Sequence, residues 1–461
     1  MPLSPDRGTG LEYSDDGSLS DMTQDSLIQA YKDQAWDLVG LLPGTEGLRL
    51  KAIRCLGEKG LPNRKTEDWR YSNISALTAT AFNWMDKAEA PTPDINWLVQ
   101  DASARFVFVN GRFSEDLSEL GTAWQQARVR VLANHLMSNM QRAEGLLQDR
   151  DGIELLNTAL MRDGMVISLP AGNIVDDPVE ILHISTGRDH TAQHIRHLIE
   201  LGEGASCTVV ERFIGGDAAY WTNSMTHIRV CENAHLNHIR FQEEGPRALH
   251  TSKAVADIDA DGSYSATAFS VGGAVARFEN HVTLKGEGAR ACVDGVALAG
   301  NSSSHDSLNH INHMVPNATS DQIFRTVADA RSTTSFQGKV TVAKDAQKTN
   351  ADQSFKALLL DRSAVANAKP ELEIFADDVK CSHGATVGEL DAAALFYMAS
   401  RGVEPDVARR LLVEAFAGDA LTRLEEGRLK EDLMAKIMAW MTRHMSQSSI
   451  PGTASGKNVN E

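Results

Sequence analysis

A mainly β fold, a right-handed parallel β-helix or related β-solenoid between helical N-terminal and C-terminal domains, is predicted by three features of this sequence. Between residues 164 and 390 short alternating runs recur, among them Ile181-Leu182-His183-Ile184, His197-Leu198-Ile199-Glu200-Leu201, Leu236-Asn237-His238-Ile239-Arg240-Phe241 and His281-Val282-Thr283-Leu284. Each has the length of a strand and is followed by turn residues. The corners recur as well, as Gly202-Glu203-Gly204-Ala205, Cys231-Glu232-Asn233-Ala234, Ala260-Asp261-Gly262-Ser263, Lys285-Gly286-Glu287-Gly288, Val315-Pro316-Asn317-Ala318 and Lys344-Asp345-Ala346. Their period of roughly 26 to 30 residues is that of stacked coils and not of βαβ units. Finally, no helical window of about ten residues interrupts the series. Each coil leaves an apolar face that only the next coil can cover. A two-sheet sandwich is the alternative, since strand lengths alone do not separate the two.

The flanking elements follow in order. Residues 1–26, rich in Asp, Ser and Gly, read as a disordered acidic leader. Residues 27–163 read as a helix-rich domain, because apolar residues recur at helical spacing in Leu27, Ile28, Tyr31, Trp36, Leu38 and Val39, again in Val131, Leu132, His135 and Leu136, and in Leu146, Leu147, Leu155 and Leu156. Within it, Arg105–Val109 forms a short strand before the turn Asn110-Gly111. Thr66 stands where it can N-cap ahead of Glu67 and Asp68, with Trp69 as an anchor.

Residues 391–445 read as a helical domain: Asp391 caps a helix that stops at Gly402, a second begins near Pro405 and runs to Gly418, and a third spans Leu421 to His444. Their apolar stripes either pack on the chain's own solenoid or form a docking face for a partner, since a terminal coil must be capped or paired. Residues 446–461 read as a disordered tail.

Composition narrows the function. A chain of 461 residues with 42% hydrophobic and 23% charged residues is an ordinary globular protein of two or three folded units. Its net charge of -17 argues against nucleic acid or an anionic membrane as the main partner, because both require a basic face. The five cysteines, Cys55, Cys207, Cys231, Cys292 and Cys381, are widely spaced and form no Cys-x-x-Cys pair, which fits a reducing compartment. No run approaches the ~18 apolar residues of a membrane span, and no secretory signal is visible, so a cytoplasmic location is expected.

The motifs exclude as much as they suggest. There is no Gly-x-x-x-x-Gly-Lys-Ser/Thr phosphate loop, no Rossmann glycine pattern and no Gly-x-Ser-x-Gly elbow. Among 15 histidines, His305, His310 and His313 crowd one segment at spacings that match no compact metal motif, and they read as polar residues on strand faces. A solenoid groove lined by Asp and His could also act on polysaccharide, which would require paired carboxylates.

The sharper pair is Cys381 and His383, two residues apart at the end of an alternating run within Lys369–Gly388, which leave the same face if that run is a strand. Cys381 is either a small buried hydrophobe or a thiolate for iron or sulfur chemistry, with the His383 imidazole as second ligand. One Cys and one His cannot complete a four-ligand site, so a partner chain would supply the rest.

The string from Lys369 to Gly388, continued by Leu390-Asp391 and Ala394–Gly402, resembles the C-terminal signature of the SufD family, and Arg64–Ile74 resembles the N-terminal signature shared by SufB and SufD. The similarity spans about residues 27 to 445. The resemblance implies a right-handed parallel β-helix and a non-catalytic subunit of bacterial iron-sulfur cluster assembly. It also implies pairing with SufB through the β-helix edge and docking of the SufC ATPase on the C-terminal helices. Cys381 and His383 match the signature's Cys and His, at a site for transient iron or a nascent cluster shared with SufB. SufB-like chains are expected to carry more cysteines, often with a Cys-x-x-Cys, and this chain has neither feature. Whether reduced flavin binds the assembled complex stays open, as do two other classes: a polysaccharide-acting solenoid enzyme, and an adaptor without metal chemistry.

Overall fold

A computed structural model gives the fold, and it describes residues 22–42, 44–84, 99–119, 121, 128–138 and 151–448. The leader over 1–21, Leu146 and Leu147, and the tail from 449 onward lie outside the described residues.

Consecutive strands alternate between two ten-stranded sheets. In chain order, one sheet carries Met165–Leu169, Thr191–Leu201, Tyr220–Val230, Leu249–Ile258, Val275–Leu284, Ser304–His313, Thr333–Val342 and Val365–Ile374. The other carries Val179–Ser185, Ser206–Gly215, His235–Glu243, Ser263–Ser270, Arg290–Ala299, Thr319–Ala328, Asn350–Leu359 and Lys380–Glu389. Each strand pairs in parallel with the strand one coil away, in unbroken register. This is a parallel β-solenoid, and the sandwich alternative falls because a sandwich would pair antiparallel strands.

The recurrent corners have a physical reason. Gly204, Asn233, Asp261, Gly288, Asn317 and Lys348 all adopt positive φ, between 51° and 75°, and form one row along the solenoid. Gly, Asn and Asp tolerate that conformation, which is why the corners were visible in sequence. Backbone bonds join them from coil to coil, as Gly204 N to Glu232 O (2.9 Å) and Asn233 N to Ala260 O (3.0 Å). Next to the row, Ala205, Ala234, Ala289, Ala318 and Ala346 turn fully inward into the main core.

The N-terminal end of the solenoid is closed by antiparallel strands. Ala104–Val109 lies beside Val179–Ser185 and turns through Asn110 (φ 50°) and Gly111 (φ 74°) into Arg112–Glu119. Two left-handed residues make this a type I′ hairpin, as the Asn-Gly pair predicts. Arg128–Val131 runs antiparallel to Met165–Leu169 on the other sheet. Val131 therefore ends a strand, and helix begins only at Leu132.

Among the described residues the N-terminal region holds helices α1 (Gln24–Asp37), α2 (Glu46–Lys59), α3 (Ile74–Thr78), α4 (Leu132–Ser138) and α5 (Gly152–Leu160). The α1 N-cap is Thr23, whose side chain accepts from Ser26 N, so helix starts inside the span read as leader. Trp36 and Val39, taken as part of its apolar stripe, are exposed. The buried Arg49 of α2 donates to the carbonyls of Ala159 and Met161 at the end of α5, both at 2.6 Å.

Asp391 caps α6 (Ala392–Ser400), its carboxylate accepting from Ala393 N at 2.8 Å. Helices α7 (Pro405–Gly418) and α8 (Arg428–Ser448) follow, the third helix starting later than Leu421 because a short 3₁₀ turn, Asp419–Leu421, intervenes. The two possible uses of these helices divide between them. Val413, Ala417, Leu433, Ile437 and Trp440 of α7 and α8 pack on Phe241, Phe269, Val296, Leu298 and Val327 from the outer face of the second sheet. By contrast α6 buries no residue, and Phe396 and Tyr397 are exposed. Among the described residues no helix is long and apolar enough to cross a membrane.

Candidate functional site

Cys381 and His383 lie on the last strand, Lys380–Glu389, which pairs on one edge with Asn350–Leu359. Register settles which way they face. Cys381 continues the column Cys207, Leu236, Tyr264, Ala291, Ser320, Ala351. His383 continues the column His238, Ala266, Val293, Gln322, Gln353. Leu236, Tyr264, Ala266, Ala291, Val293 and Ala351 belong to the main core, so both columns face the solenoid lumen. At the last coil no further coil among the described residues covers them: Cys381 is half-buried against that core and His383 is exposed. Burial pushes the Cys381 thiol up, with Asp352 adding to it and a backbone hydrogen bond to Ala351 opposing. The resting thiol is therefore protonated, and a metal or base must take its proton before it acts as a ligand.

Across the lumen mouth stands Val365–Ile374, whose Ala366, Ala368 and Leu372 close the core. The outer side of this strand meets the N-terminal signature. Lys369 pairs with Glu67 at 2.7 Å and with Glu371 at 2.9 Å. Deeper on the same face, Gln337 and Arg277 both donate to the carbonyl of Asp68, at 2.9 and 2.8 Å, and Arg277 also bonds Ser72 (2.6 Å) and lies 4.0 Å from the Trp69 ring centroid. Trp69 is the anchor the sequence suggested. Thr66 sits at the N-cap position of the 3₁₀ turn Glu67–Trp69 but caps nothing with its side chain, which accepts instead from Asn63 N. The two signature strings, about 300 residues apart in sequence, thus touch. No local pattern could reveal that contact, because coil stacking creates it.

A second group was not singled out by the sequence. His183, His197 and Glu211 are fully buried in the lumen near its closed end, with ligand-type atoms within 4.8 Å of one another. His183 Nε2 and His197 Nε2 are 3.2 Å apart, close to the ~3.3 Å that two nitrogens on a tetrahedral zinc would show. Burial pushes both imidazoles down, so both are neutral. Burial alone would raise Glu211, but the hydrogen bond from His238 (2.8 Å) and the nearby histidines hold it well below the usual carboxylate range. The backbone N–H of Met165 donates to His197 Nδ1 at 3.0 Å, which places the His197 proton on Nε2, facing His183. An ion there would have to expel that proton and leave an imidazolate. The arrangement is a hydrogen-bonded array and does not fit a metal. Its signal in sequence was available: His183 and His197 stand at inward positions of their alternating runs.

The segment at 305–313 splits by the strand period. His305 and His313 are buried and bond Ser270 (3.0 Å) and Ser320 (2.8 Å), whereas His310 faces outward beside Asp68. The expected polar strand-face role holds for His310; the other two are lumen residues.

Comparison with known proteins adds the family. Residues 183–416 match the family described as "SUF system FeS cluster assembly, SufBD core domain", and residues 23–181 match "SufBD protein N-terminal region". The chain is 31% identical to the iron-sulfur cluster assembly protein SufD of Escherichia coli, over 82% of this chain and 89% of that protein. It is 32% identical to a SufBD family iron-sulfur cluster assembly protein of Synechocystis, over 88% and 94% of the two chains. It is 28% identical to the chloroplastic protein ABCI7 of Arabidopsis thaliana, over 80% of each.

Proposed function

Because this chain belongs to the SufBD family of the SUF iron-sulfur cluster assembly system, we propose that it serves there as the SufD-like subunit, pairing with a SufB chain and carrying the SufC ATPase. Membership leaves the polysaccharide-acting alternative without support. One observation carries the proposal: Cys381 and His383 face inward on the terminal coil, above which no described residue adds a further coil. A second solenoid stacked on this end would bury both side chains and could add the ligands that one thiol and one imidazole lack. Iron or the nascent cluster is then cargo held between two chains, and this subunit itself catalyses nothing.

The C-terminal helices supply the second contact. The exposed α6, with Phe396 and Tyr397, offers an apolar face to the ATPase. Helix motion would reach the cargo site through the ion pairs that fasten the helical region to the second sheet: Arg423 with Asp294 (2.7 Å) and Asp321 (2.8 Å), Arg325 with Asp419 (2.7 Å), and Lys436 with Glu243 (2.5 Å). That sheet ends in the strand bearing Cys381 and His383. Closure of the ATPase would thus bias the cargo site through a rigid, continuous element.

The test is co-expression of the tagged chain with SufB and SufC from the same genome, reading subunit stoichiometry. Val387→Asp, on the exposed terminal strand, should cost the SufB contact while retaining SufC. Retention of SufB by that variant at wild-type stoichiometry would remove the edge-stacking assignment.

A further inference from the structure

We propose that Gln353 is a positioning residue for His383: its carbonyl oxygen accepts the ring N–H and so turns the other ring nitrogen, with its lone pair, toward the open mouth of the lumen. Gln353 would act only through His383, so this role rests on the ligand reading of His383 given above.

Three observations converge. Gln353 is the register partner of His383, one coil below in the same inward column. It is only 3% exposed, and its amide reaches across the lumen so that Nε2 donates to the carbonyl of Glu371 at 3.2 Å. A carbonyl can only accept, so this bond fixes which end of the amide is nitrogen and which is oxygen. The oxygen, Oε1, is buried and has no hydrogen-bond partner among the described residues. A buried acceptor left without a donor costs about 1–3 kcal/mol, so the site favours any donor that can reach it. Space has also been cleared for this amide: a Cβ on Gly338 would stand 2.5 Å from Oε1. His383 stands one coil above Gln353 in the same column and is exposed at the mouth.

One competitor exists in the column. Gln322, the coil below, accepts from Asn309 (3.1 Å) through its own oxygen, while its Nε2 lacks a partner among the described residues. Were Gln322 to rotate, it could donate to Gln353 and leave His383 unheld.

A neutral imidazole has one donor and one acceptor nitrogen, and the hydrogen bond at one of them selects the tautomer presented at the other. The measurement is therefore the tautomer of His383, from two-bond proton–nitrogen NMR spectra of the full chain labelled at histidine, with His383 assigned by its loss in His383→Ala. In the wild type one tautomer should predominate. In Gln353→Leu the ratio should shift at least threefold toward that of an exposed imidazole, while Gln322→Leu should leave it as in the wild type. If Gln353→Leu does not fold, Gln353→Met, which keeps the length of the side chain without an accepting oxygen, should produce the same tautomer shift. An identical tautomer ratio in wild type and Gln353→Leu overturns the proposal, as does a shift caused by Gln322→Leu. None of these readouts depends on cluster assembly. A positioned tautomer together with normal assembly in His383→Ala would sink the ligand reading and leave the hydrogen bond standing.

Discussion

Replacing Arg277 by Met should unfasten the N-terminal signature from the solenoid. Arg277 is 1% exposed; its guanidinium donates to Ser72 Oγ at 2.6 Å and to the Asp68 carbonyl at 2.8 Å, packs 4.0 Å from the Trp69 ring centroid, and pairs with Glu279 at 2.7 Å. Two hydrogen bonds to a charged donor contribute roughly 1.5–3 kcal/mol each, and a desolvated cation–π contact about 2. Against them stands the recovered desolvation of the guanidinium, so the net loss falls near the 3–5 kcal/mol typical of breaking a buried pair. Glu279 is not stranded, since Lys253 (3.1 Å) and His281 (3.2 Å) still face it, which favours the lower end of that range. Urea unfolding gives the total, and amide hydrogen exchange locates it: protection should fall in residues 64–74 and in Val365–Ile374, with little change in strands near the N-terminal end. A loss below about 1 kcal/mol, or unchanged protection of 64–74, would refute the view that this side chain fastens the N-terminal signature to the solenoid.

Acid should weaken the fold between pH 6.5 and about 4. His281, His305 and His313 are pushed down to about 4, chiefly by burial, and His194 to about 3. With folded values below the unfolded one, the unfolded chain binds more protons, so these groups lower stability as pH falls through that window. Asp294 and Asp306, raised by burial to about 7 and about 6, act in the opposite sense, but two acids offset only part of four histidines. Urea midpoints at pH 7 and pH 4.5 should therefore differ clearly, and equal midpoints would contradict the buried neutral histidines. Phe396→Asp combined with Tyr397→Asp should leave stability within about 0.5 kcal/mol, because both side chains are exposed, yet should abolish co-purification of SufC. A destabilised chain, or undiminished SufC binding, would argue that α6 is not the docking face.

The solenoid was legible because its corners demand residues of a particular kind. Asn233, Asp261, Gly288 and Asn317 sit at positive φ once per coil, and that row is what the period in the sequence records. Asn110-Gly111 and Asp391 were legible for the same reason, since a two-residue left-handed turn and a helix cap each depend on one or two side chains. Trp36 shows the limit: helical spacing gives a stripe but not what covers it, and this one faces solvent. At the candidate site, period-two alternation was enough to put Cys381 and His383 on one face. It could not show that this face is the lumen, which depends on register summed over every preceding coil. The contact of Lys369 with Glu67, the array of His183, His197 and Glu211, and Gln353 beneath His383 were hidden for that reason. All are neighbours across coils or sheets, and a single strand's pattern says nothing about its neighbours.

The central claim, that His383 holds iron or a nascent cluster together with SufB, is tested most directly by purifying the co-expressed complex and measuring bound iron and sulfide for wild type and His383→Ala. The account predicts an intact complex in both, because His383 is exposed on the free chain and carries no part of its core, with iron and sulfide falling at least tenfold in the variant. Unchanged iron and sulfide in an intact complex would contradict it and reduce the subunit to an adaptor.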